Sequence, residues 1–374
     1  MMNKIVLIPD SFKGTMSSNE VCEIMKSCIL SWLPKCNIVS IPVADGGEGS
    51  VDAFLAAVGG DKIWLEAVGP RFKPMRTFYG MLGDKKTAVI EMAACAGLPL
   101  MAGCGNPGQT TTYGVGQLIL AAAKKGAERL VVGLGGSATN DGGCGAACAV
   151  GVKFFDENGR EFIPVGDTLQ NIDRIDMSGK SELLNGVEIT AMCDIDNPMF
   201  GRAGAAYVFG PQKGADFEMV ERLDDGLRHL NDVVKRDLGR DLASLPGGGA
   251  AGAMGVGMAA FFAAELKMGI ETVLDVVAFD DVIADADLIF TGEGMLDSQS
   301  LHGKVVVGVA HRAAKSGKPV IAVVGGSELE SDRFYEEGIK AIFTINRLPQ
   351  DLSISREHSK ENLAFTMQNI LRLL

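Results

Sequence analysis

Residues 4–32 read KIVLIPDSFKGTMSSNEVCEIMKSCILSW. Lys4 to Pro9 is a short apolar run rich in β-branched residues, and it ends on an acid, Asp10. Ser17, Ser18 and Asn19 then precede Glu20, and apolar residues recur at helical spacing from Val21 to Trp32. This pattern predicts a strand, a polar loop and a helix with a capped N-terminus. Ile38 to Val43 repeats it. That run leads into Asp45-Gly46-Gly47-Glu48-Gly49 and then a helix over Ser50 to Val58. Two such units imply a parallel sheet whose strand C-termini carry the ligand-binding loops.

Further along, the texture changes. IWLEAVG, RTFYGML and TAVIEMA, between Ile63 and Met92, read as three strands separated by turns at Gly69-Pro70 and Gly83-Asp84. With no helix between them, they predict an antiparallel segment. A helix is expected over Val115–Lys125, then strands over Leu130–Leu134 and Val187–Met192. Two more helices follow, over Phe217–Leu238 and Ala250–Leu266. Plain strand–helix alternation returns in Leu288–Thr291, Lys304–Lys315, Pro319–Val324 and Ala341–Ile345, and Glu357–Leu374 closes as an amphipathic helix.

The expected fold is therefore α/β with two domains. An outer parallel, flavodoxin- or Rossmann-like domain takes residues 1–62 and 285–374. A mixed α/β domain, residues 63–284, is inserted in the middle and carries the antiparallel segment and a Gly-rich turn.

Composition narrows the function. The 374 residues are 47% apolar and 22% charged, enough to bury two cores, which argues against a disordered chain. Lys and Arg number 35 against 47 Asp and Glu, a net charge of −12 that repels phosphate backbones and anionic membranes. Nucleic acid and membrane are thus not expected partners. The 8 cysteines form no Cys-x-x-Cys pair, which suits a reduced, cytoplasmic protein with small buried thiols. The first residues are too short an apolar run for a signal peptide. Gly247 to Ala264 is uncharged but glycine-diluted, so it reads as a Gly-rich loop entering a buried helix rather than a membrane span.

Gly is in excess, at 48 residues, and clusters where apolar runs end. Val131 to Gly143 reads VVGLGGSATNDGG, a strand entering a glycine turn and then a helix expected near Asp141. Exposed N–H groups and that helix's positive end suit a phosphate. The same residues give a relaxed dinucleotide fingerprint, Gly133-x-Gly135-x-x-Ala138, and a turn that serves only packing is the plainer alternative. No Gly-x-x-x-x-Gly-Lys-Ser/Thr run exists, which excludes a P-loop NTPase, and no Gly-x-Ser-x-Gly elbow exists.

Acids sit at other strand ends. Asp10 and Lys13 place both signs of charge after the first strand. Asp45 and Glu48 stand among Gly46, Gly47 and Gly49. Asp194, Asp196 and Asn197 end a central strand and offer hard oxygens to a divalent cation or a hydroxyl, or form an Asx-type turn before Pro198. Gly292, Glu293, Asp297, Ser300 and Lys304 look like a substrate or phosphate clamp, with His302 discounted. Lys213, in Pro211-Gln212-Lys213-Gly214, reads as a solvated loop lysine.

Together these segments resemble the type-1 glycerate kinase family of bacteria. The runs that carry the likeness are IPDSFKGTMSS, PVADGGEGSVDA, GLGGSATNDGG, CDIDNPMFGRAGAA, PQKGA and FTGEGMLDSQSLHGK, in that order from residue 8 to residue 304. The resemblance implies ATP-dependent phosphorylation of D-glycerate, leaning to the 2-phosphate, with Mg²⁺ and a site in an interdomain cleft. It also implies a cytoplasmic enzyme, with homo-oligomer formation left open.

The demands of phosphoryl transfer then suggest roles. Gly135, Gly136, Ser137, Asn140 and Asp141 contact phosphate or substrate. Asp194 is the preferred general base or metal-linked carboxylate, with Asp297 second. Lys304 and Lys13 meet the phosphoryl group or the glycerate carboxylate. Asp45 and Glu48, with Asp196, hold Mg²⁺ or substrate hydroxyls. Asp10, Gly46, Gly47, Asn197, Gly292, Glu293 and Ser300 complete the expected binding set. Two rivals remain at this point: a nicotinamide-dependent dehydrogenase of a small hydroxy acid built on Gly133–Ala138, and a non-enzymatic module that binds a sugar acid.

Overall fold

The computed structural model describes residues 2–44, 46–101, 103, 105–298, 300–328, 331–348 and 351–374. The chain forms two compact units. The first comprises Met1–Ala44, Ala56–Val58 and Met268–Leu374, and the second Asp45–Leu55 and Gly59–Lys267. The architecture is α/β with parallel sheets, as the alternation of apolar runs implies. The chain passes between the units at 44/45, 55/56, 58/59 and 267/268, whereas the texture of the sequence suggests 62/63 and 284/285. On the C-terminal side the reason is packing: Arg312, on the helix Val305–Lys315, pairs with Glu271, Asp275 and Asp280 of the two preceding helices. On that same helix Gly308 lets Ile270 approach, since a Cβ there would lie 2.8 Å from Ile270 Cγ2.

The first unit is built on a five-stranded sheet. Its order is Ile339–Thr344, Val320–Val324, Leu288–Gly292, Lys4–Pro9, Asn37–Ser40, and every pairing is parallel. Numbered along the chain within this sheet, that is 2-1-3-4-5, the doubly wound order in which the winding reverses between the first and third strands. Lys4–Pro9 and Leu288–Gly292 are those two strands, in register from Ile5 opposite Leu288 to Pro9 opposite Gly292. Apart from Lys4 and Thr291 both are built of apolar residues and glycine, and from Ile5 and Leu288 onward both are buried. The helix Ser18–Trp32 starts as the polar residues before it predict. Ser17 caps it, Glu20 N donates to Ser17 Oγ (3.3 Å) and Ser17 N to Glu20 Oε2 (2.9 Å). Its apolar face, with Val21, Met25 and Ile29, shares a core with Leu363, Met367 and Ile370 of the C-terminal helix Ser359–Leu371.

The second unit is built on a six-stranded mixed sheet. Its order is Glu265–Lys267, Glu188–Met192, Arg129–Gly133, Thr87–Glu91, Pro74–Leu82, Gly60–Val68. The last three are antiparallel, as the turn-separated runs predict, and the rest are parallel. The helix Phe217–Leu238 runs between an Asp216 cap and a left-handed Gly239.

One expectation fails. The helix expected over Ala250–Leu266 ends at Phe262, and Glu265–Lys267 is instead an edge strand paired with Thr190–Met192. Ala263, at φ 54°, turns the chain. Near the helix start, Ala251, Gly252 and Ala253 are left-handed (φ 56°, 69° and 63°), so the apolar run is broken at both ends. A small antiparallel sheet of Lys153–Phe155, Glu161–Phe162 and Arg174–Asp176 had no clear pattern in the sequence.

Candidate active site

In the first unit the expected residues gather where the sheet's winding reverses. Asp10 N donates to Gly292 O (2.8 Å), tying the loop after the first strand to the end of the third. Gly292 must be glycine, since a Cβ there would lie 2.0 Å from Val323 O. Gly294 lies against the backbone of Phe12 and Lys13, at 3.4 and 3.5 Å from where its Cβ would sit. Beyond it, Asp297 and Ser300 brace one another: Ser300 N donates to Asp297 Oδ1 (3.1 Å) and Asp297 N to Ser300 Oγ (3.2 Å). Lys304 is the residue at the N-terminus of the helix Val305–Lys315.

Glu293 stands among these groups, 6% exposed, and its Oε1 has no hydrogen-bond partner. Burial pushes its carboxyl up to about 7. The charges of Asp10 and Asp297 push the same way, while Ser300 and Lys304 oppose. The first unit thus brings together Asp10, Lys13, Gly292, Glu293, Asp297, Ser300 and Lys304. A buried acid poised near neutrality beside a lysine can exchange a proton at working pH.

In the second unit the glycine turns stack backbone against backbone. Gly135 N donates to Gly46 O (3.0 Å), and a Cβ on Gly135 would lie 2.7 Å from Gly47 Cα. A Cβ on Gly133 would lie 2.3 Å from Gly46 O. Close packing between the two loops therefore requires these glycines. Glu48 is exposed and Gly49, at φ 86°, opens the helix Ser50–Val58. Asp45 lies outside the described residues.

The turn that follows Arg129–Gly133 differs from the sequence reading in one respect. Its helix begins at Cys144, not near Asp141, and is only six residues long. Asp141, fully buried, accepts from Thr112 N (2.8 Å), Thr112 Oγ1 (2.9 Å), Gly143 N (3.1 Å) and Gly145 N (3.2 Å). Burial raises its pKa and these four donors pull it back. The helix start is thereby capped by the protein's own carboxylate. Neighbouring Asn140 is buried with both amide atoms unpartnered, and so is Thr139 Oγ1.

Lys213 is the residue that sequence reasoning missed. It is 3% exposed, and its Nζ donates to Ser137 Oγ and to Thr139 O (2.8 Å each). Burial brings its pKa down to about 7, against the pull of Asp141. The proline and glycines around it were the available signal, since they allow a tight turn to carry the side chain inward.

At the end of Glu188–Met192, Asp194 is partly buried, Asp196 is exposed, and Asn197 donates its amide to Ala203 O (2.8 Å). Gly249 N donates to Asn197 O (2.9 Å), and Gly252 packs on Thr139 and Asn140. The loops at 46–49, 135–143, 193–198 and 247–253 thus meet within this unit. Among the described residues no group of three His, Cys, Asp or Glu side chains forms a metal cage.

Loops gathered at the C-terminal ends of parallel strands, with buried polar groups among glycines, define an α/β enzyme acting on small molecules. The model of the glycerate kinase family matches residues 5–374. A glycerate kinase of Bacillus cereus (strain ATCC 10987 / NRS 248) is 45% identical over 368 residues, 98% of this chain and 97% of the relative. The glycerate 2-kinase of Escherichia coli (strain K12) is 42% identical over 372 residues, 99% and 98% of the two chains. The crystal structure of a Salmonella typhimurium LT2 protein assigned as glycerate kinase 2 superposes with a TM-score of 0.88. Its sequence is 40% identical, and the match covers 100% of this chain and 98% of that one. The chain belongs to the glycerate kinase family, and it is an enzyme, a kinase. The dehydrogenase alternative finds no support in these relatives. Its fingerprint also needs a helix opening within the glycine turn, whereas here ten residues separate Gly133, the end of the strand, from the helix at Cys144.

Proposed function

We propose that the enzyme transfers the γ-phosphoryl group of ATP to D-glycerate, giving 2-phosphoglycerate, with Mg²⁺ entering on the nucleotide. Whole-length membership of the family, over residues 5–374, carries this reading. Mg²⁺ keeps most of its ligands as phosphate oxygens and water and needs only one or two carboxylates, which the exposed acids Glu48 and Asp196 can offer, with Asp45 the further candidate from the sequence. A cytoplasmic setting suits the described cysteines, all of them free and most of them buried.

The chain's own groups then take the following parts. In the second unit, backbone N–H groups of Gly135 and Gly136, with Ser137 and Asn140, hold anionic oxygens, and Asp141 fixes the turn's shape. Gly46, Gly47 and Asn197 support that turn and its neighbour loop. Asp194 is the proposed acceptor for the proton of the attacking hydroxyl, with Asp297 the second candidate. In the first unit, Lys304 and Lys13 meet an anionic substrate group, and Asp10, Gly292, Glu293 and Ser300 orient hydroxyls around it. Phosphoryl transfer asks mainly for such positioning and charge neutralisation.

A coupled ADP-release assay with D-glycerate and Mg²⁺·ATP tests the reading, with the product position read by phosphorus NMR. D194N, checked for folding by thermal melting, is expected to lose about two orders of magnitude or more in turnover. No ADP release by the unaltered enzyme would overturn the function. Near-normal turnover by D194N would remove Asp194 from the proton step.

A further inference from the structure

Lys213 ends the short turn Pro211–Lys213, and its backbone is tightly held. Lys213 N donates to Gly210 O (3.0 Å), and a Cβ on Gly105 would lie 2.1 Å from Lys213 O. The side chain therefore reaches the glycine turn from a rigid base, with its Nζ on Ser137 Oγ and Thr139 O. An ammonium has three N–H bonds to place, and these are two sites. A neutral amine fits both: it donates to Thr139 O and can exchange donor and acceptor roles with the Ser137 hydroxyl. The charged group facing it among the described residues is Asp141, on the turn itself. Both Asp141 oxygens are already committed to Thr112, Gly143 and Gly145, so that acid acts on Lys213 through space rather than by contact. Beside these atoms stand the unpartnered Asn140 amide and Thr139 hydroxyl, both on residues buried completely. Buried polar groups without partners are rare in folded proteins and point to a ligand that supplies them.

We propose that Lys213 is an anion-binding residue whose buried amine sheds its proton in the free enzyme at mildly alkaline pH and takes one up from solvent when an anionic group settles on residues 135–140. The inference rests on reading that turn as an anion site. The balance is simple: amine plus a solvent proton gives ammonium, and the third N–H turns toward the anion. On the alkaline side of neutrality the turn thus gains its positive charge when a negative one is present to meet it. Burial, which brings the pKa of Lys213 down to about 7 in the free protein, agrees with this.

Titration calorimetry on the full chain tests it, in phosphate-free buffers of low and high ionisation enthalpy. Mg²⁺·ADP and D-glycerate are titrated separately, so that a nucleotide phosphate and a substrate carboxylate are told apart. At pH 8 one of them is expected to bind with uptake of about 0.9 proton per chain, and at pH 6 with about 0.1, for an amine that titrates near 7. K213M is expected to bind that ligand with no uptake. Should K213M not fold, K213R, charged at both pH values, is expected to bind with none either. Buffer-independent heats at pH 8 for both ligands, or uptake retained in the variant, overturn the inference while turnover of D-glycerate stands. Absence of both binding and turnover overturns the functional reading itself.

Discussion

Glu293 is an acid whose folded-state pKa is raised above 4.5 to about 7, mostly by burial. Between those values the native protein holds a proton that the unfolded chain releases, so stability falls as pH rises through that window. E293Q removes the cost of burying the charge. It is expected to raise stability by about 1–3 kcal/mol above pH 7 and to leave it nearly unchanged at pH 4.5. Urea midpoints across that range check this, and an equal effect at both ends would place the charge elsewhere. Lys213 acts with the opposite slope. Its pKa is lowered from 10.5 to about 7, so the native state binds fewer protons than the unfolded chain between those values and gains stability as pH rises.

At the scale of elements, the contact between the two glycine turns decides the local shape. G135A would set a methyl group 2.7 Å from Gly47 Cα and 2.8 Å from Gly47 N. Overpacking against a backbone that cannot rotate away is expected to cost about 1–3 kcal/mol. An unchanged urea midpoint for G135A would mean that the loops do not touch. The sequence revealed glycines and acids at strand ends, because a strand's apolar run and a turn's composition are local signals. It did not reveal whether the glycines served a ligand or each other, since Gly46 and Gly135 are far apart along the chain. The same limit applies to Asp141, whose four donors come partly from Thr112, and to Lys213, which shows as buried only once Ser137 and Thr139 are placed beside it. The Ala250–Leu266 run misled for a different reason. Alanine and glycine favour a helix or a left-handed turn according to what packs on them, and here Thr139 and Asn140 press against Gly252.

At the scale of the molecule, charge works against the proposed substrates. A net charge of −12 repels both a nucleotide polyphosphate and a carboxylate approaching from solution. Raising ionic strength from about 0.02 to 0.2 M shortens the reach of that repulsion to about a Debye length of 7 Å, and KM for ATP is expected to fall by roughly two- to fivefold. A rise in KM with salt would show that local basic groups, not the overall field, govern approach. No helix among the described residues is long and apolar enough to cross a membrane.

The first unit's sheet carries one more consequence. Ile5 sits opposite Leu288, 283 residues further along the chain, and the strand holding Ile5 lies inside its sheet, between Leu288–Gly292 and Asn37–Ser40. During synthesis at about 5–20 residues per second, that strand waits roughly 15–60 s for its neighbour to leave the ribosome. For that interval a strand that is apolar from Ile5 to Pro9 has one flank unzipped. Nascent chains of this enzyme should therefore engage holding chaperones early, and a circular permutant opened between residues 267 and 268, which brings Leu288 to about 90 residues before Ile5, should weaken that dependence.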